Sequence, residues 1–190
     1  MLPGGADLNL GCPVGRPCHG PQEPAAWPAG GATVDQLVAS ARCETLLQDT
    51  LDAIRPMPVW QSASPRSGVR LPRPGTGDAL QWYVTRGRDV LTVVSEARRT
   101  ALAGAVEGHW RRRGWTITAL GVGRELPRVA ATTRDGYQLV LEFGDLGEAG
   151  LIASSPGADR PEHPSRPWAA GGCGRAPLPY VRCSHWSAMA

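Results

Sequence analysis

The feature that most constrains this chain is a change of hydrophobic period within residues 95–154. A helical stripe of Ala97, Ala101, Leu102, Ala105, Val106, His109 and Trp110 gives way to short stretches in which apolar and polar residues alternate. Ser95 is placed to cap that helix, Glu96 lies in its first turn and Gly114 supplies its stop. Arg111, Arg112 and Arg113 fall in the last turn, where cations meet the exposed carbonyl end of the helix. Strands are predicted next over 115–120, 128–133, 137–143 and 148–154. The alternation is cleanest in the third of these. Tyr137, Leu139, Leu141 and Phe143 point one way and Gln138, Val140 and Glu142 the other, as a sheet with one covered face requires. Asp135-Gly136 before it is a hairpin signal.

Upstream, Thr33 and Gln36 have the form of a capping box, and Val34, Leu37, Val38, Ala41, Leu47, Leu51 and Ile54 recur at helical spacing until Pro56 and Pro58. The spacing predicts a helix over 34–54. Residues 57–79 are rich in Pro, Gly and Ser without a period and read as a long internal loop. A strand resumes with Trp82, Val84, Val90, Leu91, Val93 and Val94, and Arg86-Gly87-Arg88-Asp89 reads as a bulge or turn within it. The element order is therefore α–β–α–β–β–β–β. It predicts an α+β fold, with two helices packed on one face of a mainly antiparallel sheet of four to five strands.

With 24 Gly and 18 Pro crowded outside the periodic region, residues 33–156 read as a single α+β domain, 1–32 as a disordered extension and 157–190 as a disordered tail. The net charge is +3, and within 80–157 Arg only slightly outnumbers Asp and Glu. That is too little for a nucleic-acid footprint, so nucleic acid is not an expected partner. Every Lys or Arg position is Arg, which reads as a coding bias and not as a mechanism. No apolar run approaches the roughly 20 residues that cross a bilayer. Residues 1–20 show neither a basic start nor an apolar stretch, so the chain as written is expected to be cytoplasmic and without a transmembrane segment.

Residues able to carry chemistry are present, but their spacing favours structural roles. Cys12, Cys18, His19, Cys173, Cys183 and His185 are zinc-ligand types without the close pairs of a zinc knuckle. The five cysteines are an odd number, which leaves redox state open. His109-Trp110-Arg111-Arg112-Arg113 reads as the end of a helix before it reads as a phosphate-binding patch. Gly121-Val122-Gly123 follows a strand but no helix follows it, so it is no dinucleotide loop. Asp135, Glu142, Asp145 and Glu148 lie near two turns, the usual place for acids, although convergence would allow metal or acid/base chemistry. Ser95 and Cys43 are nucleophile types with no base placed beside them by sequence. No cofactor is implied.

Residues 82–156 resemble a group of small actinomycete proteins of unknown function, often lipoproteins or secreted. The resemblance rests on Ala105-Val106-Glu107-Gly108-His109-Trp110 leading to Arg113-Gly114-Trp115-Thr116-Ile117-Thr118, on Thr132-Thr133-Arg134-Asp135-Gly136-Tyr137, and on Ser154-Ser155-Pro156. It implies a cell-envelope or secreted location. The group's disulfide is not retained, because Gly157 stands where its cysteine follows Ser-Ser-Pro and 57–79 contains no cysteine. Leu10-Gly11-Cys12 is a fragmentary echo of its lipidation motif.

Three functional readings follow. The first is a non-enzymatic module that binds a protein or small ligand on the uncovered sheet face, where Thr116, Thr118, Leu120, Val140 and Ile152 are the candidate residues. The second is a hydrolase or metal-dependent enzyme built on the acids of the Asp135 and Asp145 turns. In the third, the ends are unselected translations and the chain is a degenerate gene product, which Trp168 and Trp186 beside free thiols would suit.

Overall fold

The computed structural model describes residues 34–70, 81–121, 126–159 and 177–188. Helix α1 runs Gln36–Asp52. Its cap is Asp35, whose Oδ1 accepts from the amides of Leu37 and Val38 at 2.9 and 3.0 Å, so the predicted Thr33 capping box is replaced by a cap two residues later. The buried face of α1 is Ala39, Cys43, Leu46, Leu47, Thr50 and Leu51. Leu37 and Val38, expected on the apolar stripe, are 81% and 59% exposed.

Helix α2 runs Glu96–Arg112 and buries Leu102, Ala103, Val106 and Trp110. Gly114 follows it with φ 71, a left-handed conformation that only glycine adopts without cost. The Trp110 indole N–H donates to Thr50 Oγ1 at 3.0 Å, and this hydroxyl donates in turn to Leu46 O. The bond joins the helices through a pair that would otherwise be a buried polar liability.

Seven strands form one sheet: β1 (Trp60–Ser62), β2 (Arg66–Arg70), β3 (Gln81–Val90), β4 (Thr116–Leu120), β5 (Arg128–Thr132), β6 (Gln138–Phe143) and β7 (Ala149–Ser154). The order is β1-β3-β7-β6-β5-β4, with β2 also on β3, and every strand pair is antiparallel. The α+β class and the two helices stand as expected, while the strand count is higher than four to five. Two of the added strands, β1 and β2, lie inside 57–79. They are short and largely polar, and they owe their form to a long partner strand more than to their own propensity. Gly68 shows the fit: it lies under the Tyr83 ring, where a Cβ would collide.

Strand β3 runs unbroken through Arg86-Gly87-Arg88-Asp89. Arg86 and Arg88 stand opposite Ala153 and Leu151 and so face the helices, where Glu44 of α1 pairs with both. Arg88 also lies 4.7 Å over the Trp60 ring. This inward charge, neutralised on the spot, explains why the sequence looks interrupted where the strand is not. The core lies between this face and both helices, and includes Val84, Val90, Val129, Ala131, Tyr137, Leu139, Leu141, Phe143, Ala149, Leu151 and Ala153.

Residues 157–159 and 177–188, expected within a disordered tail, pack against the domain. Ala158 bridges to Val34 and Trp82, and Val181 to Thr92. Trp186 is 2% exposed and its indole N–H donates to Pro56 O at 2.6 Å. Ser187 Oγ donates to Val93 O at 2.7 Å, and the Ser95 hydroxyl donates to Ala188 O at 2.6 Å, which is why Ser95 occupies the α2 cap position without a side-chain capping bond. No helix among the described residues is long and apolar enough to cross a membrane.

Candidate functional site

Both helices lie on one face of the sheet, and the side chains that point the other way form ordered rows. Cross-strand pairing aligns Ala119, Ala130, Val140, Ile152 and Gly87, one from each of β4, β5, β6, β7 and β3. Directly opposed residues share a face and touch, so this is a continuous apolar row across five strands. One adjacent row is polar, with Thr116, Thr132, Gln138, Ser154 and Thr85, and the Thr85 and Ser154 hydroxyls are 3.1 Å apart. On the other side Arg128 faces Glu142 at 3.8 Å. Val140 and Ile152 are half-buried, whereas their inward neighbours Leu139, Leu141 and Leu151 are fully buried.

The structure divides the five candidate residues into two groups. Val140 and Ile152 are direct partners at the centre of the outer row. Thr116, Thr118 and Leu120 lie on β4, an end strand that pairs only with β5 among the described residues, and all three are exposed. A register shift between Ile117 and Ala119 moves Leu120 opposite Val129, a core residue, and puts Ala119 in the outer row. Leu120 therefore leaves the outer row, and at 55% exposed it forms part of the sheet edge. Period-two counting cannot reveal such a bulge.

The start of β4 carries positive charge. Arg111 pairs with Glu107 at 2.7 Å and Arg113 with Asp49 at 2.9 Å, a carboxylate that also meets His109 Nε2 at 3.1 Å. Arg112 and Arg134 are exposed and have no carboxylate partner among the described residues. Arg134, a turn residue that sequence did not nominate, reaches across to Gly114, so that a Cβ there would lie 3.1 Å from its guanidinium.

The acids nominated for chemistry do not converge. The Asp135 and Asp145 turns sit at opposite ends of β6, roughly 20 Å apart at about 3.4 Å per residue. Asp135 pairs with Arg42 of α1 at 3.0 Å. Burial raises its pKa, but hydrogen bonds from Thr133 and Arg42 outweigh this and hold the carboxyl below its ordinary value of 3.8. Glu148 accepts from the Leu146 amide within its own turn. The Cys43 thiol is buried and its pKa is pushed up to about 12 by desolvation, which makes it a poor nucleophile. Among the described residues no three His, Cys, Asp or Glu side chains cluster as metal ligands. Cys12, Cys18, His19, Cys173 and Gly123 lie outside the described residues.

No protein-family model matches this chain, and no curated protein matches it. Among solved structures it is similar to a DUF4853 family protein from Actinomyces odontolyticus, at 12% identity and a TM-score of 0.41, over 80% of this chain and 79% of that one. The neighbour is an actinomycete domain of unknown function, and a likeness of that strength assigns neither family nor activity.

Proposed function

We propose that the chain is a non-enzymatic binding module that engages a partner protein through the outer face of its sheet and the adjoining β4 edge. The observation that carries this reading is the row Ala119, Ala130, Val140, Ile152 and Gly87, apolar across five strands and opposite the face both helices cover. A sheet face in water is stable with polar side chains throughout, so a continuous apolar row bordered by hydroxyls and an ion pair has the anatomy of a contact surface with a polar rim. The acidic residues give the competing enzymatic reading no shared site. A position at the cell envelope or outside it rests on the resemblance over residues 82–156.

The test is site-directed photo-crosslinking in native cells, with p-benzoylphenylalanine replacing Ile152 or, on the solvent side of α2, Ala101. The reading predicts one discrete protein adduct from Ile152, absent from Ala101 and abolished by Val140→Lys in the same chain. The same diffuse adducts from both positions would overturn it.

A further inference from the structure

Among the described residues three strands, β1, β2 and β4, have a strand partner on one side only, and β4 is the longest of them without a charge. It reads Thr116-Ile117-Thr118-Ala119-Leu120, with no charge and no proline. Among the described residues one of its sides is bonded to β5 and the other is bonded to nothing. An end strand presents outward-pointing amides and carbonyls at every second residue, and proteins normally blunt such an edge with lysine, proline or a covering segment. Among the described residues the shift between Ile117 and Ala119 is the one such device at this edge. A bulge in a five-residue strand limits how long a stretch can be added, but it leaves the outward backbone groups available.

We infer that β4 is a strand-addition site for an extended acidic segment of a partner protein, whose carboxylates lie against Arg112 and Arg134. This rests on the binding-module reading and names the partner's chemistry. Main-chain bonds to an edge give affinity with little sequence preference, so selectivity must come from what flanks the edge. Near the start of β4 this is Arg134, whose guanidinium reaches Gly114, together with Arg112 at the end of α2, whose guanidinium lies back over Gly108, since Arg111 and Arg113 are already paired. A second copy of this chain does not fit as well. Antiparallel pairing of two β4 edges would bring each arginine pair to the other's Leu120 end, where the described carboxylate, Glu142, already faces Arg128.

The probe is a labelled ten-residue peptide of alternating Thr and Val with two Asp at each end, compared with its Lys counterpart on the full chain. Fluorescence anisotropy measures binding and amide hydrogen exchange locates it. We expect the acidic peptide to bind about tenfold more tightly at low salt, a preference that shrinks as ionic strength rises beyond ~0.15 M. We also expect new protection confined to 116–120, and a reversed preference in the Arg112→Glu, Arg134→Glu double variant, whose exposed positions leave folding intact. Equal binding of both peptides, protection on another strand, or a β4-mediated dimer in sedimentation would overturn the inference. Ile152→Lys separates the two proposals. Peptide binding that survives this change supports the edge site, whereas binding lost with it and without protection of 116–120 places the contact on the sheet face, which overturns the edge site and leaves the binding-module reading standing.

Discussion

The two edges of this sheet are finished in opposite ways. At the β3 end of the sheet the chain adds β1 and β2 and lays residues 180–181 along Leu91, Thr92 and Val93. Trp186 then locks the last segment in place through Pro56 O. At the β4 edge, among the described residues, nothing is added. The same chain that extends one edge with short polar strands and a tryptophan strap leaves five uncharged residues at the other, beside two exposed arginines without a carboxylate partner among the described residues. The difference teaches that irregular sequence is structural at one edge, and that the bare edge is the place to look for a partner.

Removing the anchor of the closed edge has the largest expected effect. Trp186→Ala empties a buried site and leaves Pro56 O without its donor, which should cost about 3–5 kcal/mol in urea unfolding. A loss below about 1 kcal/mol would mean that the strap is not part of the cooperative fold. A smaller change sharpens the point. Ser187 Oγ donates to Val93 O and accepts from Cys183 N, so Ser187→Ala should cost about 1–3 kcal/mol and speed exchange of the Cys183 amide.

Between the edges, Arg42 on α1 ties down the turn at Asp135. Because the folded carboxyl titrates below its ordinary value of 3.8, the unfolded chain binds more protons through that window. The stability it contributes is present above the unfolded value and lost as pH falls through the folded one. Both side chains are nearly half exposed, so Arg42→Ala should cost only about 0.2–1 kcal/mol at pH 7 and flatten the acid limb of the stability profile. An acid limb unchanged from that of the parent chain would remove Asp135 from this account.

The smallest expected effect on stability lies at the open edge. Thr118→Lys places a charge on exposed β4 and should shift unfolding by no more than about 0.5 kcal/mol, while abolishing peptide addition there. A large destabilisation would show that Thr118 has a structural partner and that the edge is not free.

Much of this fold is legible in one dimension, for identifiable reasons. Helix α2, strands β5 to β7 and the turn at Gly136, with φ 84, follow from the change of period and from Asp135-Gly136. Val140 and Ile152 share the outer face because period-two alternation holds through β6 and β7. Elsewhere tertiary context decides. Arg86 and Arg88 look like an interruption until Glu44, more than forty residues away, supplies their counter-charge. Strands β1 and β2 exist because β3 is long enough to hold both, and Trp186 is buried because Pro56 O and the start of α2 wait for it. Leu120 moved from the sheet face to the edge through one bulge, and Arg134 joined the site by reaching back to Gly114.

The most direct measurement is residue-resolved amide hydrogen exchange of the full chain, unliganded. The account predicts that the amides of Val93 and Val181, bonded across the closed edge, exchange only with global unfolding. It also predicts that the outward-pointing amides within 116–120 exchange rapidly. Protection of every amide in 116–120 to the same depth as Val93 would show that the β4 edge is already covered, and would contradict the account.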